Sequence, residues 1–272
     1  MLRSEAGIGP ARNGRRRRVG LTLAVLVAAG CGGSPQEPQA VQVAARTARR
    51  LTAREQIERT ERRLLGARRL ALRATVLAEG EVNAAFDGKV VRIDAAGIEV
   101  DFVGSLDGAS YAPWLRSDEG GLRGGPRESE SPSFVRARER ELPTALFTGL
   151  TRSGLLPPLL QLCAGDAPAF AHGGSQGQIE MRNVTLGPVA DRGGHTVETL
   201  LFDLVVRGEP AGQVTLWVDA GTALPVERSQ VVRIAGGATR VTERYLDVRV
   251  DDEVADAELR SPRRSEVELP SR

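Results

Sequence analysis

The chain has 272 residues, and its 37 Lys and Arg against 35 Asp and Glu leave a formal net charge of only +2. That balance offers no bulk electrostatic attraction for nucleic acid. Two cysteines exclude a disulfide framework, and two histidines in no HxxxH or HExxH arrangement argue against a zinc site.

The charge is unevenly placed. Arg15, Arg16, Arg17 and Arg18 precede an uncharged apolar run, Val19 to Gly30, which ends at Cys31. A basic stretch, a short apolar stretch and small residues at the end describe an export signal over residues 1–30. The run is short for a permanent span, which needs about 20 residues. Loss of residues 1–30 takes six Arg and one Glu with it, so the basicity belongs to the signal and the remaining chain is slightly acidic. Ala28-Ala29-Gly30-Cys31 resembles a bacterial lipobox, with Ala28 where Leu is usual. The resemblance implies that Cys31 becomes the N-terminus and is acylated, by palmitate or a similar chain. The other reading is an ordinary secretory signal with Cys31 incidental. At about 0.8 kcal/mol per buried CH₂, several acyl chains would hold the protein on a membrane almost permanently.

Residues 31–50 are rich in Gly, Pro, Gln and Ala and read as a tether. Order is expected from Thr52, where Thr52 and Glu55 have the spacing of a capping box. Ile57, Leu64 and Leu65 then follow at helical spacing, and Gly66 is the expected stop. From Leu70 the period becomes two: Leu70, Leu72, Ala74, Val76 and Ala78 share one face. In GIEVDFVG, Ile98, Val100 and Phe102 alternate with Glu99 and Asp101, so one face is dry and one wet. Turn residues Asp94 to Gly97, Asp107-Gly108 and Glu119 to Gly121 separate these runs into an antiparallel meander.

After a polar loop, GPRESESPS, a helical pattern is expected over FVRARERELPTALFTGLTRSG, kinked or restarted at Pro143. A second helix is expected in LLPPLLQLC, with Pro in its first turn. Leu142, Leu146, Leu150, Leu155, Leu156, Leu159, Leu160 and Leu162 make this the most apolar region after the signal. Cys163 lies in it and is expected to behave as a small buried hydrophobe. A Gly/Ala/Pro-rich loop over residues 164–178 leads to five further strand patterns, with Gly and Pro between them.

Chemical motifs are sparse. Asp219 in LWVDAGTALPVERS follows an apolar strand, as a catalytic aspartate does in aspartic proteases. Ala220 lacks the supporting hydroxyl, however, and no second such loop exists to supply the partner carboxylate. Asp219 is therefore expected to turn a hairpin. His172 and His195 read as partly solvated residues, and Asp251-Asp252 as a solvated turn. The Arg-rich face of the first helix, interleaved with Glu55, Glu58 and Glu61, reads as solvated.

The order of helix, meander, helical insert and longer meander resembles the lipoprotein-carrier superfamily, the LolA/LolB-like proteins. LWVDAGTALPVERSQVV is similar to that family's strand, turn, Leu-Pro, strand hairpin. ERYLDVRVDDEVADAELRSP is similar to its terminal element. The resemblance implies an α+β domain over residues 51–262: a curved, incompletely closed antiparallel sheet, a half-barrel, with an N-terminal helix and the Leu-rich insert covering the concave face. Residues 263–272 are then a polar tail. With the lipobox it implies a lipid-anchored bacterial envelope protein, and Gly32 after the cysteine, where Asp would signal inner-membrane retention, favours the outer membrane if the source has one. Such a protein binds an acyl chain, lipid or lipoprotein without covalent chemistry or cofactor, as a monomer. Leu155, Leu156, Leu159, Leu160, Phe102 and Val100 would wall the cavity. The alternative is a structural or protein-interaction lipoprotein with the same fold and a filled core.

Overall fold

The computed structural model describes residues 51–93, 97–126, 131–137, 142–168, 179–234 and 237–255. The expected signal, Cys31, the tether, the turn at 94–96, His172 and the tail lie outside them.

The first element is helix α1, Ala53–Gly66. Both bonds of the capping box form: Thr52 Oγ1 accepts from the Glu55 amide at 3.2 Å, and the Glu55 carboxylate accepts from the Thr52 amide at 2.7 Å. Two of the first-turn N–H groups that a helix leaves unpaired are thereby satisfied. Its buried stripe is Ala53, Gln56, Ile57, Thr60 and Leu64.

A first meander follows as β1 (Leu70–Gly80), β2 (Ala84–Arg92), β3 (Ile98–Leu106), β4 (Ala109–Tyr111), β5 (Pro113–Asp118), β6 (Gly121–Pro126) and β7 (Phe134–Arg136). The insert is α2 (Leu142–Arg152) and α3 (Leu156–Cys163). A second meander runs β8 (Ile179–Leu186), β9 (Ala190–Arg192), β10 (His195–Val206), β11 (Glu209–Asp219), β12 (Pro225–Ile234) and β13 (Gly237–Val250). The two meanders join through the first strand and the last, giving one path β7-β6-β5-β3-β2-β1-β13-β12-β11-β10-β8. Every pairing is antiparallel, and the path ends at β7 and β8 without closing. This is the open half-barrel expected from the sequence.

Its curvature has local causes. Register shifts occur at Arg73/Ala74, Leu204/Val205 and Trp217/Val218, and an extra residue in one strand bends and twists it. Between β2 and β3, Gly88 faces Phe102 and Gly104 faces Phe86. A Cβ at either glycine would collide with the facing ring or its backbone. Each aromatic ring thus folds onto a bare stretch of the neighbouring strand.

The helical expectation for Phe134 to Arg136 is corrected: these residues are an edge strand, and the described helix α2 is Leu142–Arg152. Phe134 pairs with Gly124 and its ring lies where a side chain at 124 would stand, so pairing with β6 wins over the helical spacing. Pro143 is the second described residue of α2.

Because the capping box starts α1, Thr52→Ala should cost about 0.5–2 kcal/mol in urea unfolding. Thr52→Ser should restore most of the loss.

Candidate functional site

The inward faces of the two meanders are apolar. One cluster joins Leu64 of α1, the inner residues of β1 to β3, and Leu142, Leu146, Phe147, Leu150, Leu155, Leu156, Leu159 and Leu162 of the insert. A second joins Ala53 and Ile57 of α1 to Leu200, Phe202, Leu204, Val214, Leu216 and Val218 of β10 and β11. The six residues expected to wall a cavity are brought together in the first cluster. Leu155, Leu156 and Leu159 are each 1% exposed, Val100 and Phe102 are buried, and Leu160 packs against them partly buried.

One row of inward positions crosses the sheet through Leu200, Leu216, Arg228, Glu243, Val76 and Phe86. At its centre stand two charged residues, both fully buried. Arg228 donates to the Thr151 carbonyl at 2.8 Å and to the Arg152 carbonyl, the last turn of α2. It also donates to Gln230 Oε1 at 2.8 and 3.2 Å. Glu243 Oε1 accepts from the Leu155 and Leu156 amides at 2.7 and 3.2 Å, the start of α3. Its other oxygen accepts from the Tyr245 hydroxyl at 2.8 Å. A cation thus meets the negative end of one helix and an anion the positive end of the next, as the helix dipoles favour. Gly154, at φ +82°, makes the turn between them. A Cβ there would collide with the Glu243 carboxylate, so the position needs glycine for both backbone and space. α1 joins the same point: Glu61 accepts from the Thr151 hydroxyl at 2.9 Å and pairs with Arg152 at 2.8 Å.

Burial pushes the Glu243 carboxyl above its ordinary value, against the charge of Arg228, the Tyr245 hydroxyl and the two amides. Burial also pulls Arg228 down against the charges of Glu243 and Tyr245, but a guanidinium starts so high that it stays protonated. Tyr245 is raised by burial and by the adjacent carboxylate, and remains a donor. The sequence reading passed over Arg228, Gln230, Glu243 and Tyr245. Their signal was phase: Glu243 alternates with Val241 and Tyr245 on the face that enters the core.

The other candidates resolve into structural roles. Asp219 caps the β11–β12 hairpin, its Oδ1 accepting from the Gly221 and Thr222 amides at 3.0 and 2.7 Å and the Thr222 hydroxyl at 2.9 Å. Burial works against this carboxylate, but the Thr222 amide, His195, the Thr222 hydroxyl and the Gly221 amide hold its pKa below the ordinary value. His195 lies 3.0 Å from its Oδ2, a pairing that sequence distance concealed. The Thr222 hydroxyl donates to the carboxylate, so it is not aligned as a nucleophile on His195. Asp251 is more than a solvated turn: its Oδ1 accepts from the Arg68 amide at 2.7 Å and ties the end of α1 to the end of β13. Cys163 is buried in the first cluster. Among the described residues, no group of three His, Cys, Asp or Glu could hold a metal ion, and no helix is long and apolar enough to cross a membrane. A shallow groove of about 280 Å³ on the outer face of β1 to β3 is lined by Arg73, Asp87, Lys89 and Asp101, with opposite charges alternating around it.

No model of a known protein family matches the chain, and no curated protein matches it. Among solved structures, it is similar to the MucA/MucB complex of Pseudomonas aeruginosa, at 14% identity and a TM-score of 0.38 over 77% of this chain and 61% of that one. It is similar to a LolA superfamily protein, NE2245 of Nitrosomonas europaea, at 11% identity and 0.29 over 78% and 99%. A third is the hypothetical protein CT021 of Chlamydia trachomatis, at 8% and 0.32 over 72% and 94%. The chain spans about three fifths of the length of the MucB structure.

Two outcomes test the polar centre. Arg228→Met should cost roughly 3–5 kcal/mol, as removal of one buried partner does. Adding Glu243→Leu should not recover it, because the ends of α2 and α3 would then both lose their partners; recovery in urea unfolding would reduce the pair to a simple ion pair. Secondly, a carboxyl whose folded pKa is raised holds its proton longer in the folded state. Its contribution is full below the unfolded value and is lost as pH rises through the folded one. Wild type should therefore lose stability relative to Glu243→Gln as pH rises from about 4.5.

Proposed function

We propose that the protein is an envelope lipoprotein, anchored through acylated Cys31, that binds an acyl chain or lipid between the helical insert and the concave face of the sheet. It performs no covalent chemistry there. The observation that supports this most is the division of labour within the insert. The polar bonds traced above gather at its turn, between Thr151 and Leu156. The faces of α2 and α3 away from that turn meet the sheet through Leu and Phe side chains. Apolar contact is non-directional, so a chain of the same chemistry can replace it when the helices part. The turn would act as the pivot. Val100, Phe102, Leu155, Leu156, Leu159 and Leu160 would line the space so opened.

The second reading, a protein-interaction lipoprotein with a permanently filled core, is favoured by the near-complete burial of Leu155, Leu156 and Leu159. Substitution by volume separates the two. Native mass spectrometry of residues 32–272 purified from a membrane-containing host should show a co-purified lipid or acyl mass, lost on denaturation. Leu159→Trp should remove that mass with little loss of stability. A bare mass in wild type, together with a loss of about 1–3 kcal/mol in Leu159→Trp from overpacking, would favour the filled core instead.

A further inference from the structure

Tyr245 has one hydroxyl proton and two acceptors for it. Its oxygen stands 2.8 Å from Glu243 Oε2 and 3.3 Å from the carbonyl of Leu150, a buried residue in the last turn of α2. A single O–H serves one of them well at a time. The backbone does little for that carbonyl. The amides three and four residues on, Ser153 and Gly154, both bond to the Gly149 carbonyl instead, at 2.9 and 2.7 Å. The Leu150 carbonyl is thus one of the groups that a helix end leaves unpaired.

Which acceptor Tyr245 serves depends on the charge of Glu243. An ionised carboxylate is the stronger acceptor, so the hydroxyl turns to it and the Leu150 carbonyl goes without. A carboxyl protonated at Oε2 is itself a donor. It gives its O–H to the Tyr245 oxygen, Tyr245 gives its own to Leu150, and all three groups are paired. The neighbouring bonds hold in both states. Oε1 keeps the Leu155 and Leu156 amides, and Arg228 bonds to the Thr151 and Arg152 carbonyls and to Gln230.

We propose that Glu243, Tyr245 and the Leu150 carbonyl form a proton switch in the turn of the insert, in which uptake of one proton from solvent by Glu243 ties the end of α2 to β13. As pH rises the proton leaves, Tyr245 turns back to the carboxylate, and α2 loses that tie. Burial favours the protonated form and extends its range upward, while Arg228, the Tyr245 hydroxyl and the two amides favour the ionised form. The charged and titratable groups around Glu243 are Arg228 of β12, Tyr245 of its own strand and, at the end of α2, Arg152 with Glu61 of α1. α3 supplies only amides, and β1 places Val76 opposite. Where the turn is the pivot of the acyl-binding site, the switch regulates that site, holding the insert at low pH and freeing it at high pH. This consequence rests on the acyl-binding reading; the switch itself does not.

Carbon-13 NMR of the full chain without ligand tests the switch, over about pH 4 to 9. The Leu150 carbonyl resonance should move in step with the Glu243 side-chain carboxyl, at one midpoint. Glu243→Gln donates to Tyr245 as the protonated acid does, and should hold the Leu150 resonance at its low-pH position throughout. In Tyr245→Phe the carboxyl should titrate while Leu150 stays still. Amide protection from hydrogen exchange at the end of α2 should fall roughly 3- to 10-fold across the midpoint in wild type, the range one hydrogen bond provides, and stay level in Glu243→Gln. A Leu150 carbonyl that does not follow Glu243 would overturn the switch. So would a coupled step that survives Tyr245→Phe, or a Glu243 that keeps one charge state over the whole range. Acyl binding is read separately, by displacement of a fluorescent fatty-acid probe from wild type. Its absence, beside a coupled titration, would bring down the ligand reading and leave the switch standing.

Discussion

The structure turns on a buried polar centre in an inward row of the sheet that is otherwise apolar. Arg228 and Glu243 face each other across β12 and β13, in the middle of an apolar row. Alone, two buried charges are expensive to desolvate and weak evidence of stability. Here each has a second task. Arg228 takes the carbonyls at the end of α2, and Glu243 takes the amides at the start of α3. Helix ends leave such groups unpaired, and a helix end buried against a sheet needs partners for them. The turn of the insert can therefore lie deep against the concave face. Glu61 brings α1 to the same point through Arg152, so α1, α2 and α3 are fixed relative to the last two strands from one place.

Much of the fold was legible in the residues. The Thr52–Glu55 spacing marked the start of α1, and the alternation in Leu70 to Ala78 and Ile98 to Phe102 marked the inner faces of β1 and β3. Local spacing reports directly on these, because cap and pleat are properties of a few consecutive residues. Phe134 to Arg136 misled for the opposite reason: their strand exists because Gly124 leaves room for Phe134, a fact recorded ten residues away. The polar centre was harder still. Arg228 and Glu243 lie in strands with other Arg and Glu residues, and only phase, with Gln230 in β12 and with Val241 and Tyr245 in β13, separates the buried pair from its neighbours. The partners they serve, residues 151–156, are some 75 to 90 positions away.

The hairpin aspartate shows the same limit. Its turn role followed from Asp219, Gly221 and Pro225 alone, whereas its contact with His195 depends on β10 pairing beside β11. The Thr222 hydroxyl donates to the Asp219 carboxylate rather than to His195. Among the described residues, the helical insert is held to the sheet by polar bonds at its turn and by apolar side chains elsewhere. In the proposed function that turn is the pivot, and a ligand is held by burial and released as the helices part.

Residue-resolved hydrogen exchange across the insert tests the pivot most directly. If the turn is the pivot, the Leu155 and Leu156 amides held by Glu243 should be the slowest to exchange within residues 142–163. The rest of the insert should open at lower free energy than β1 and β13. Exchange of Leu155 and Leu156 together with, or ahead of, the rest of the insert would contradict the pivot. So would an insert that opens only when the whole sheet unfolds.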